Sequence, residues 1–204
     1  MDDIDLYCNL MQEVKKRTAV LQGFLDGQIN AIYPTISIEC AALQLRKILE
    51  LIALGSLVAH REEYAANYNN LANHGHAERI LRDIGKINPE FYPKPMRGFP
   101  SIHPGTNIDL MDVKDGFLTK NDFISTYSAL GDILHAKNPF ALQTDYGRSK
   151  DRIKEAIGKT VVLLNTHQIQ LFNSPNIWLV NMKEDRDERV HVYVGAPKSK
   201  ELDS

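Results

Sequence analysis

The chain has 204 residues, of which 43% are apolar and 25% charged, and its net charge is −2. This length and balance imply one domain with a sizeable core and exclude general disorder. The near-neutral charge excludes a global pull toward nucleic acid and leaves only local basic faces. The opening MDDIDLY is acidic and lacks the basic-then-apolar pattern of a secretory signal. The longest uncharged apolar stretch, 51–59, is far short of the ~20 residues needed to cross a bilayer, so the expectation is a cytoplasmic protein with no membrane segment. Cys8 and Cys40 form no Cys-x-x-Cys pair and read as small apolar residues in a reducing compartment.

In chain order, the first predicted helix covers about 2–23. Ile4, Tyr7, Met11, Val14, Thr18, Leu21 and Leu25 recur at alternating steps of three and four. Pro34-Thr35 opens a second helix running to about 64, with Thr35 or Ser37 as cap. Its apolar residues cover most of the circumference, which marks a central helix. A third helix covers about 76–87 and stops at Asn88-Pro89, because the residue before proline is pushed out of helical geometry. Residues 89–107 then read as a Pro/Gly-rich aromatic loop strapped onto the core.

Runs at 108–113 and 117–118 flank an Asp115-Gly116 turn and suggest a short hairpin. Thr119 and Asp122 form a capping-box pattern that starts a fourth helix, to about 137. A fifth covers about 149–172. The β-rich runs 177–182 and 190–194 predict a second hairpin, and 196–204 reads as a flexible tail. The expected fold is mainly α: one domain over 1–204, a bundle of about five helices with two small β-hairpins that could pair with each other.

Two places carry the polar side chains of interest. On the second helix, Glu39, Leu43, Arg46, Glu50, Ala53, Leu57 and His60 align on one narrow face, and Arg46 and Glu50 stand four apart, close enough to pair. Either this stripe faces water or, on a helix otherwise apolar, it forms a partly buried network at a groove or subunit interface. On the fourth helix, Ser128, Gly131 and His135 share one edge. Gly131 costs about 1 kcal/mol relative to alanine inside a helix, which close approach of another group would justify. His135 is either a boundary histidine at the helix end or an acid–base group in a small-residue groove. Lys137 and Asn138 follow it, and Asn138-Pro139 is an ordinary helix stop. His167, on the line Ile153, Ile157, Leu164, Leu171, reads as a satisfied core histidine. His74, His76 and Glu78 lack a further histidine or cysteine, so no metal site is expected, and no nucleotide- or cofactor-binding fingerprint is present.

ALQLRKILELIALGSLVAH (42–60) and LTKNDFISTYSALGDILHAKNPF (118–140) together resemble the HEPN superfamily of bacterial helical toxins and defence proteins, and are similar to bacterial proteins with the same QLRKI and LHAKNPF stretches. The resemblance implies an up-and-down helical bundle, often a homodimer. In active members an Arg and a His, four to six residues apart on a helix, cleave RNA without a metal. Here Arg97–His103 and Arg186–His191 have that spacing, but the first pair falls in the Pro/Gly loop and the second in a turn and strand. No catalytic residue is therefore carried over from the motif. Two functions remain. One is an RNA-targeting toxin or phage-defence component using His135, Arg46 and Glu50, with Lys137, Asn138, His60, Ser128 and Gly131 lining the site. The other is a non-enzymatic helical module that binds a partner protein or a second copy and uses the same polar groups structurally.

Overall fold

The computed structural model describes residues 2–68, 76–98, 110–136, 140, 144–184 and 187–196. Among these are six helices: α1 (Asp3–Leu25), α2 (Pro34–Ala59), α3 (Arg61–Asn67), α4 (Ala77–Ile87), α5 (Lys120–Leu134) and α6 (Tyr146–Leu164). Five short strands join them: β1 (Lys94–Arg97), β2 (Met111–Asp112), β3 (Thr166–Gln170), β4 (Ile177–Asn181) and β5 (His191–Gly195). The strands form one antiparallel sheet in the order β2-β1-β3-β4-β5, so the architecture is mainly α with a small sheet. No helix among the described residues is long and apolar enough to cross a membrane.

Local chemistry explains most helix ends. Asp2 caps α1 by accepting the Asp5 N–H at 2.7 Å. Pro34 stands at the first turn of α2, where a missing N–H costs nothing. Neither expected cap operates there: Ser37 Oγ instead accepts the Ala31 N–H at 2.9 Å and braces the preceding turn. The Thr119–Asp122 capping box is formed in both directions, each N–H to oxygen bond 3.1 Å long.

The core centres on α2. Ala41, Ala42, Leu45, Ile48, Leu49, Ile52 and Ala53 are all buried, and α1 packs along most of its length. Gly55 makes that approach possible. A Cβ there would stand 3.0 Å from the Tyr7 ring and 3.1 Å from the Met11 methyl, closer than ordinary contact.

Four expectations are corrected. The second helix ends at Ala59, not near 64, because His60 leaves helical geometry and α3 starts a new direction. The fifth helix ends at Leu164, since Thr166–Gln170 pairs with β4 in continuous register from Thr166↔Asn181 to Gln170↔Ile177. His167 and Leu171 therefore lie outside the helix, and long-range pairing outweighs a helical pattern continued by coincidence. Third, the loop predicted over 89–107 contains β1, which joins the two expected hairpin regions into one sheet by pairing with β2 and β3. Pro95 has no N–H, but its carbonyl accepts the Val113 N–H at 3.2 Å. The proposed 117–118 strand is absent among the described residues; Leu118 is instead a fully buried core residue.

Candidate functional site

Arg46 and Glu50 project from α2 toward α5, and Tyr127 of α5 meets them. The Arg46 guanidinium lies over the Tyr127 ring, 4.0 Å from its centroid. Its Nη2 donates to the Tyr127 hydroxyl at 2.9 Å and its Nη1 to the Tyr127 carbonyl at 3.4 Å, while Nε stands 3.5 Å from Glu50 Oε1. The Tyr127 hydroxyl donates to Glu50 Oε1 at 3.3 Å and accepts the Ala77 N–H at the start of α4. Lys47 holds the other Glu50 oxygen at 2.8 Å. Burial raises the Tyr127 phenol above its ordinary value, Arg46 opposes the rise and Glu50 adds to it. One phenol thus ties α2, α4 and α5 together. Glu39, further up the same stripe, accepts from Tyr146 of α6 at 2.7 Å. The stripe is where neighbouring helices pack, rather than a face turned to water.

Gly131 is part of this arrangement. A Cβ there would meet Arg46 Nη1 at 3.6 Å, an ordinary contact distance. The close approach that would require glycine is therefore absent among the described residues: the nearest group is the Arg46 guanidinium, and alanine would also fit. Ser128 and His135 are exposed, and His135 caps the C-terminus of α5, its N–H donating to Gly131 O at 3.1 Å. Lys137 and Asn138 lie outside the described residues, as do His74, His103 and Arg186.

His60 does not join the stripe as a site residue. It is fully buried at the end of α2, where Nδ1 donates to Ser56 O at 2.9 Å. Its Nε2 accepts from the Asn88 amide at 2.8 Å. The second Asn88 amide hydrogen goes to Gln170 O at 2.9 Å, and Asn88 Oδ1 accepts the Glu90 N–H at 3.0 Å. Every donor and acceptor of the pair is used. His167 is equally buried: Nδ1 donates to Leu164 O and Nε2 accepts from the Tyr7 hydroxyl, both at 2.7 Å. Burial lowers its pKa from 6.5 to about 4, against the pull of the Leu164 carbonyl, and burial raises the Tyr7 phenol. His191 faces carboxylates, 3.0 Å from Asp187 and 3.3 Å from Glu184.

The opposite side of α5 borders a groove of about 490 Å³, walled by α5 and α6 and floored by Leu45, Leu130, Ile133 and Ile153. Most of its charged groups are paired: Lys159 with Glu155 at 2.8 Å and Asp122 at 3.9 Å, and Arg148 with Asp145 at 3.9 Å. Sequence reading missed this groove because its residues sit on two helices with no spacing signature. Tyr127 carries no motif of its own in the sequence, although a tyrosine there can carry a hydroxyl to the Arg46-Glu50 stripe. No group of three or more metal-ligating side chains is present among the described residues. Comparison with family models, with curated proteins and with solved structures returned no match.

Proposed function

We propose that this chain is a non-enzymatic helical binding module in which Arg46, Glu50 and Tyr127 are scaffold, fixing the register of α2, α4 and α5. One observation carries the reading: the Arg46 guanidinium directs its ring-facing side and all three of its nitrogens, with three of its five N–H donors, to Glu50 and Tyr127 within the chain itself. A cation meant to steady a developing charge on a substrate keeps donors free for it. The buried histidines support the same view, since both ring nitrogens of His60 and of His167 are engaged. The test is a double-mutant cycle on Arg46→Ala and Glu50→Ala, followed by urea unfolding. Coupling of about 1 kcal/mol is expected, and independent, negligible effects would overturn the scaffold role.

The HEPN-like, RNA-acting reading keeps one supporting observation. His135 is exposed at the end of the helix whose Gly131 face Arg46 covers. It requires that purified protein cleave total RNA and that His135→Ala abolish the cleavage. Intact RNA in both samples removes it.

A further inference from the structure

We infer that the groove between α5 and α6 is a binding site for a small zwitterion with an apolar body, either a free apolar amino acid or an apolar dipeptide. The inference is independent of the scaffold reading, because Tyr127 and Gly131 lie on the other side of α5.

Volume and floor set the first limits. About 490 Å³ is within the range of small-ligand sites, and a floor of leucine and isoleucine side chains favours aliphatic or aromatic carbon over sugar or nucleotide. Charge sets the next. Three cations and four carboxylates line the groove: Arg148, Arg152 and Lys159 against Asp122, Asp132, Asp145 and Glu155. A phosphate or polyanion would meet that acidic excess. Most of these charges neutralise one another within the chain, as described above. Asp122 is further committed to the α5 capping box and Asp145 to capping α6 through the Arg148 N–H at 2.9 Å.

Two groups are left over. Asp132 on the α5 wall and Arg152 on the α6 wall make no ion pair among the described residues. One is a lone carboxylate and the other a lone guanidinium, on opposite walls of an apolar trough. A ligand that uses both brings an ammonium for Asp132 and a carboxylate for Arg152, whose forked donors match a carboxylate in two parallel bonds. Its side chain fills the floor.

The test is isothermal titration calorimetry of the full chain with six probes: L-leucine, L-leucyl-L-leucine, and each of these with its amine acetylated or its carboxyl amidated. Saturable binding of at least one uncapped probe is expected, weakened about tenfold or more by either cap. Arg152→Gln and Asp132→Asn are expected to weaken it similarly while leaving thermal unfolding unchanged, since both residues are exposed. Binding of leucine points to a free amino acid, and binding of the dipeptide alone to a dipeptide ligand. Absence of binding by both uncapped probes at millimolar concentration overturns the proposal. So does binding that neither caps nor variants disturb, which would reduce the groove to an apolar trough.

Discussion

Two polar nodes tie the helices of this protein together by opposite means. At the Arg46–Glu50–Tyr127 node the groups are charged and sit near the surface, with the Arg46 and Glu50 side chains 25% and 21% exposed. At the His60–Asn88 node and its neighbour His167–Tyr7, the histidines are fully buried and each accepts at one nitrogen while donating at the other. The difference follows from the cost of removing charge from water. At the rim node the charges remain within reach of solvent, whereas the buried histidines persist as neutral, fully bonded units. The rim node can lose a partner and turn to water. The buried nodes have no such recourse, so their removal costs more.

That contrast can be tested in four steps of decreasing size. Asn88→Ala strips His60 Nε2 and Gln170 O of their shared donor inside the core. A loss of about 3 kcal/mol in urea unfolding is expected, and a loss no larger than that of a rim substitution would erase the distinction. The second step is pH. His167 titrates near 6.5 when unfolded and at about 4 when folded, so the unfolded chain binds the extra proton between those values. Stability contributed by the neutral imidazole is therefore complete above about pH 6.5 and falls as pH drops toward 4, by up to about 1.4 kcal/mol per unit. Its ring proton resonance should stay unshifted by NMR until below pH 5, and a shift centred at 6.5 would contradict its burial.

Third, Tyr127→Phe keeps the ring beneath Arg46 but removes the hydroxyl that joins Glu50, Arg46 and the Ala77 N–H. About 1–2 kcal/mol should be lost, less than for Asn88→Ala because water can replace the missing bonds. Fourth, Gly131→Ala should raise the thermal midpoint, adding about 0.5–1 kcal/mol, since the new methyl group meets only the Arg46 guanidinium at an ordinary distance. Destabilisation there would show that the guanidinium cannot yield.

The helices were legible where their signals are local. The capping box at Thr119 and Asp122, the stop at Asn88-Pro89 and the seam through Tyr7, Met11 and Val14 each depend on neighbours within a few residues. The sheet was half legible. The β-rich runs 177–182 and 190–194 announced β4 and β5, but β1 hides behind Pro93 and Pro95, and β3 continues a helical pattern until its partner strand claims it. Within the candidate site, the Arg46–Glu50 pairing follows from helix geometry alone, whereas the Arg46 contact with Gly131 needs α2 and α5 to pack together. The burial of His60 does not, because Asn88, which donates to it, lies 28 residues away in the chain. The groove was equally hidden, since its walls meet only once α6 has docked.

The bond between the Tyr7 hydroxyl and His167 spans 160 residues. During synthesis at ~5–20 residues per second, roughly 10–30 s pass between the appearance of the two partners. The α1–α2 hairpin can form early, because Gly55 admits Tyr7 and Met11 directly. Its phenol, however, waits for the penultimate stretch of the chain before it is satisfied. A ribosome stalled before residue 167 should therefore display α1 and α2 with the Tyr7 hydroxyl lacking its His167 acceptor.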